Sequence, residues 1–245
     1  MPVIEPLLEI SKGNKRGHSL IYKFGVNGDI NGNYETIWSL GGIYPTIGGS
    51  AVQLTISSSS GDDNSTGIGA RSLTIQGLDV DYNQISETVD LDGTNSVNTS
   101  REYIAVNRAF VETGGTSEQV GNISVLSGST NLAYIDSSYR QTMQSHYTIP
   151  ANHTGYLIQV NCSSTKNDYV QFVLYQKTFG GVYRTILSDT AIENSTTDLT
   201  HFAPQFSEKT EIDLRAIGVD GSSNNNVSGE FTLVLVDNNH RVSNY

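Results

Sequence analysis

HYTIPANHTGYLIQVNC, residues 146–162, sets a proline, a polar turn and a strand one after another. Pro150 has no amide hydrogen to give a ladder, so it ends the element before it. Ala151-Asn152-His153-Thr154 follows with turn residues, Asn foremost, because its side chain bonds locally and tolerates left-handed backbone. Tyr156, Ile158, Val160 and Cys162 then alternate with their neighbours. That period of two predicts a strand with those four on one face, opening a new core.

Downstream the strand signals are crisp. Tyr169–Gln176 and Val182–Leu187 flank Gly180-Gly181, which predicts a hairpin. After a polar crossover over residues 189–200, Glu211–Ile217 is expected to pair with Glu230–Val236 through GVDGSSNNNVSG. That last strand is apolar on both faces, which predicts a central strand covered by its own core and by a domain or subunit. Phe231, Leu233 and Leu235 are therefore candidate subunit-interface residues.

Upstream, short strands alternate with Gly, Ser and Asn turns: Val52–Ile56, a hairpin over Arg71–Leu91, Tyr103–Val111 and Asn122–Leu126. Residues 127–146 form a junction, with a strand at Leu132–Ile135 and a brief helical turn at Tyr139–Gln144. Before residue 50, Gly25–Gly49 reads as a loop anchored by Tyr34, Trp38 and Tyr44. Such aromatics could make a ligand platform, or pack under the loop as a satellite cluster. Pro2 and Pro6 discourage an early helix. The expected fold class is all-β: two antiparallel, jelly-roll-like β-sandwich domains, 25–145 and 146–245, after an extended N-terminal arm, 1–24.

Composition narrows the function. The formal charge is −11, with 25 acidic against 14 basic residues, which disfavours nucleic acid as a partner. Residues 1–24 hold four basic and two acidic side chains, about +2, leaving about −13 for the remainder. Lys12, Lys15, Arg16 and Lys23 are thus candidates for an arm that docks on an acidic neighbour, the alternative being a solvated terminal turn. No apolar run approaches the ~20 residues of a membrane span, and no basic-then-apolar leader opens the chain, so neither a membrane nor an oxidising compartment is expected. Cys162 is a lone cysteine on an apolar strand face, expected to be a small buried hydrophobe.

The chemistry of a catalyst is not apparent. No pair of carboxylates stands out from the 25, and neither a Gly-x-Ser-x-Gly elbow nor a phosphate-cradling Gly-x-x-x-x-Gly-Lys run occurs. His18, His146, His153, His201 and His240 are dispersed; only His146 and His153 lie close enough to share a metal, and two turn histidines is the plainer reading. Asp79-x-Asp81-x-Asn83 imitates the start of a calcium loop, but Gln84 stands where that loop needs glycine. The expectation is no enzyme, no metal and no cofactor.

Two groups of residues carry a resemblance. GARSLTIQGLDVDYNQISETVDLDG (69–93) with REYIAVNRAFV (101–111) is one; YTIPANHTGYL (147–157), FSEKTEIDLRA (206–216) and NNNVSGEFTLVLVDN (224–238) form the other. Together they resemble virion structural proteins of marine tailed bacteriophages, of the capsid-decoration or tail-associated type. Residues 1–50 take no part in it. The resemblance transfers no catalytic residue. It implies a many-copy virion component, made in the host cytoplasm, that self-associates as a homo-oligomer and clamps capsid or tail subunits. A receptor-binding module is the alternative, with Tyr34, Trp38 and Tyr44 or the Asn-rich tip at 222–228 contacting a host-surface glycan.

Overall fold

The computed structural model describes residues 6–164, 170–191, 194–198, 203–219 and 225–240. It is all-β with antiparallel sheets, apart from the helix α1 (Pro6–Ser11) and a 3-10 turn at Asn238–His240. In chain order the strands are β1 (His18–Ile30), β2 (Glu35–Thr36), β3 (Val52–Ser58), β4 (Ala70–Leu78), β5 (Gln84–Asp90), β6 (Val97–Tyr103), β7 (Ala105–Gly114), β8 (Ile123–Ser127) and β9 (Thr130–Ile135). They continue with β10 (His146–Thr148), β11 (His153–Ser164), β12 (Val170–Lys177), β13 (Tyr183–Ala191), β14 (Asn194–Asp198), β15 (Gln205–Phe206), β16 (Glu211–Gly218) and β17 (Asn225–Asp237).

Among the described residues four sheets surround two cores. One sheet runs β1-β17-β11-β14 with β15 on β11, and a second runs β10-β16-β12-β13 with β2 on β16. Their facing side chains form one hydrophobic cluster, including Leu157, Val160, Phe172, Leu214, Phe231 and Leu233. The other two sheets, β6-β3-β8-β9 and β5-β4-β7, enclose a second cluster with Leu54, Ile56, Leu73, Ile75, Tyr103 and Val125.

The opening stretch folds as a turn and strand, with one correction. Asn152 takes φ 59°, the left-handed turn that its side chain favours. In β11, however, a β-bulge interrupts pairing with β17 between Leu157 and Gln159. The extra residue, Ile158, reverses which side faces inward. Gly155 and Leu157 point to the core before the bulge, Val160 and Cys162 after it, and Tyr156 lies on the outer side. The four residues expected on one face are thus divided between two.

The expected arm is also replaced. From His18 onward it is strand β1, paired with β17 from His18↔Val236 to Ile30↔Asn225. Residues 18–36 thereby join sheets made otherwise from the C-terminal part of the chain. Pro6 does not exclude a helix either: among the described residues Pro6–Ser11 form α1. Nor does β16 form a hairpin with β17; they stand in different sheets, facing across the shared core. Alternation gives a strand's face but not its partner, and both strands bury one side in that core. In place of a helical turn over 139–144, a turn closes at Tyr139, whose N donates to Asp136 O at 3.0 Å, Arg140 takes φ 57°, and Gln141 and Gln144 form isolated bridges to Phe110 and Trp38.

The two cores meet along a polar seam. The Asn107 side chain on β7 accepts from Thr148 N at 2.9 Å and donates to Thr148 O at 3.0 Å on β10. Gln144 Nε2 donates to Val106 O at 3.2 Å, and Ala151 N to Tyr82 O at 2.8 Å. Gly25 is required here: a Cβ would come within 1.9 Å of Ile37 O.

Candidate functional site

The residues singled out in the sequence do not form one site. Lys12, Lys15 and Arg16 are exposed, and Lys12 pairs with Glu9 at 3.2 Å one turn away on α1. Lys23 is different. On β1 it points inward, 7% exposed, and its Nζ donates to Asn107 O across the seam. Burial, with the nearby Arg108 charge, pushes its amine down to about 7. It cannot belong to a basic docking arm.

Phe231, Leu233 and Leu235 are consumed by the core, each at most 1% exposed, and offer nothing to a second subunit. The opposite side of β17 carries Thr232 and Val234, half-buried, beside Tyr22 of β1. Tyr22 donates a hydrogen bond to Glu230 on that side, so long side chains of neighbouring strands shield it.

The aromatic loop resolves into the satellite cluster. Trp38 and Tyr44 are 3% and 4% exposed, ring edge against ring face with centroids 5.1 Å apart. Trp38 Nε1 donates to Gly42 O at 3.1 Å, and the Tyr44 hydroxyl donates toward Val106 O and Leu132 O. Every polar atom of those rings is used internally, so they offer no platform. Tyr34 is half-buried and donates to Gln171 Oε1 at 3.0 Å. Of the Asn-rich tip, 222–224 lie outside the described residues, as does His201.

The histidines play separate parts. His146 is 1% exposed, stacked on Tyr44 with centroids 4.2 Å apart, and neither ring nitrogen has a hydrogen-bond partner among the described residues. Burial drives it down to about 3, so it is a neutral aromatic in the seam. His153 Nδ1 bonds instead to Ala151 O at 2.7 Å within its own turn. Asp79 closes its turn on itself: Oδ1 accepts from Asp81 N at 2.9 Å and Asn83 N at 2.8 Å, while Tyr82 takes φ 67°. Among the described residues no group of three or more His, Cys, Asp or Glu is placed to hold a metal ion. Cys162 is 1% exposed, and burial raises its thiol to about 12, as expected of a small core residue.

Two charged arrangements escaped the sequence reading. Asp213, fully buried on β16, accepts from Arg215 Nε at 2.6 Å and from Thr36 Oγ1 at 2.9 Å. The Arg215 guanidinium lies 5.0 Å from the Tyr175 ring and 4.5 Å from that of Tyr183. Burial holds the Asp213 carboxyl above its ordinary range, against the opposing pull of Arg215. The second is Asp63, also fully buried. Its carboxylate accepts from Ser58 Oγ, Ala70 N, Val120 N and Gly121 N at 2.5–2.9 Å. In sequence it is one acid in an Asp-Asp-Asn turn, and nothing local distinguishes it from Asp62.

No protein-family model matches the chain, nor does any curated protein. Among solved structures it is similar to an infectious bursal disease virus VP2 subviral particle at 10% identity, covering 98% of this chain and 80% of that one, with a TM-score of 0.22. A structure of the Gx strain of the same virus gives 10% identity, 98% and 79% coverage and a TM-score of 0.20. These TM-scores are too low to define a shared fold.

Proposed function

We propose that the chain is a non-enzymatic structural protein of a tailed-phage virion, a capsid decoration or cement protein that self-associates and clamps neighbouring subunits. The carrying observation is that the motifs resembling such proteins are spent on architecture here. In GARSLTIQGLDVDYNQISETVDLDG, Gly69 leaves room for the Asp63 carboxylate, Asp79 shapes the β4–β5 turn, and Glu87 accepts from Ser100 N and Arg101 N. In the following VNRAFV run, Asn107 is the clamp between the cores. Residues shared for shape rather than for catalysis suit a many-copy shell component.

On this reading each pair of sheets forms one jelly-roll-like sandwich, and the exposed basic residues Lys12, Lys15 and Arg16 meet acidic neighbours. The partners are other virion proteins and further copies of the chain, and the location is the assembled particle. Added interfaces stabilise the shell by mass action. A tail position is the alternative within the same class. Copy number in purified particles, by quantitative mass spectrometry, tests both. A stoichiometry on the order of hundreds supports decoration; a small multiple of three or six at one vertex means tail, and absence from the particle overturns the proposal.

A further inference from the structure

Between β1 and the β4–β5–β7 sheet lies a cleft of about 460 Å³. Among the described residues its lining carries two cations, Lys23 and Arg108, and no acidic residue, although acids outnumber bases 25 to 14 in the chain. Lys23 is the anomaly. Its ammonium, over nine-tenths buried, meets one backbone carbonyl and no carboxylate among the described residues. A buried cation without a counter-charge costs several kcal/mol, so such groups are ordinarily paired or neutralised. Arg108 is likewise without a carboxylate: its Nη2 donates to the Gln141 amide oxygen at 2.8 Å, and the guanidinium lies 4.9 Å from the Phe110 ring.

The rest of the described lining is uncharged and mixes polar with apolar residues. Gln76, Gln84 and Ser86 make no side-chain hydrogen bond within the described residues, so their donors and acceptors are open to a ligand. Leu20, Ile85 and Tyr147 add apolar surface to the lining, Tyr147 as part of the first core and Ile85 packed against the second. Two cations, amides without internal partners and some aromatic and aliphatic surface match the chemistry of a pyranose with one carboxylate.

We propose that this cleft binds an acidic sugar residue of the uronic-acid type, its carboxylate meeting Lys23 and Arg108 and its hydroxyls meeting Gln76, Gln84 and Ser86. This does not rest on the virion reading, since a carbohydrate site can serve a protein in any location.

The test is titration of the full chain with glucuronate, a polyuronate oligosaccharide, glucose and inorganic phosphate, followed by NMR shifts and calorimetry. Glucuronate is expected to bind and glucose not to. Lys23→Met weakens glucuronate by at least about tenfold, and Arg108→Gln weakens it several-fold. Lys23→Met removes a buried charge, so it is expected to fold and to melt no lower than the wild type. Tighter binding of the oligosaccharide than of glucuronate identifies a polysaccharide as the source, and equal binding a free acid sugar. Several results overturn the proposal: no glucuronate binding at about 10 mM, unchanged binding by Lys23→Met, or phosphate binding as well as glucuronate. So does a salt-sensitive oligomer that Lys23→Met dissolves, since the counter-charge then comes from a second copy.

Discussion

Asp63 shows how much one side chain can organise. Its four acceptor contacts tie the β3 end, the β4 start and the 115–121 loop, and removing it leaves several buried donors unmet. Asp63→Ala is expected to cost about 3–5 kcal/mol, read as a lower urea midpoint at unchanged slope. Lys23 and His146 act through pH. Lys23 is depressed to about 7, so the unfolded chain binds more protons between about pH 7 and 10. Its penalty is full below pH 7 and fades as pH rises through that window. Arg108 on β7 and His146 on β10 are the charged or titratable neighbours that face it. Lys23→Met should therefore flatten the rise in stability between pH 7 and 10, worth on the order of 3–5 kcal/mol, in denaturation series across pH. His146, depressed to about 3, binds fewer protons folded than unfolded below pH 6.5. Stability is lost as pH falls from about 6.5 toward 3, and His146→Phe, which keeps the stack on Tyr44, should remove that part of the acid slope.

Among the elements, β11 tests the sequence reading most sharply. That it is a strand was legible, because turn chemistry and alternation agree from Asn152 onward. Its faces were not, because a bulge leaves no mark in alternation: Leu157 and Val160 both enter the core, three residues apart. Leu157→Ala is expected to cost about 2–5 kcal/mol, whereas Tyr156→Ser, on the outer side, costs under about 1.5 kcal/mol; equilibrium denaturation of the two variants distinguishes bulge from simple alternation. Strands with local partners, such as β4 with β5 and β12 with β13, were readable from turn residues. The separation of β16 from β17 was not, since both have the same hydrophobic pattern whether they pair side by side or face one another.

For the whole molecule, the closing partner of the last strand is the first. Nothing in residues 18–30 announces that they complete a sheet with residues 225–236, because pairing across such a distance has no local signature. The candidate sites failed in sequence for a related reason: Trp38, Tyr44, Phe231 and Leu233 are residue types common to interfaces and to cores, and only tertiary packing decides between them. Removing residues 1–17 is expected to leave the fold cooperative. Removing 1–30 exposes one side of β17 and takes Ile30 from the core, and should give aggregated or molten protein by size-exclusion and near-ultraviolet circular dichroism.

The antiparallel pairing of β1 with β17 also sets how the molecule bears load. Gly17 O accepts from Asp237 N, and His18 lies opposite Val236, so the two strands enter and leave their ladder at the same end. Tension applied through residues just before 17 and just after 238 pulls across the hydrogen bonds and opens them one pair at a time, as a zipper does. Tension applied instead between residue 17 and a point beyond Asn225 loads the whole ladder in shear, so that its bonds must yield together. Pulling through residues 17 and 238 is thus expected to open this ladder at lower force than pulling through residue 17 and a point beyond Asn225, a difference that single-molecule pulling from the two attachment geometries would read directly.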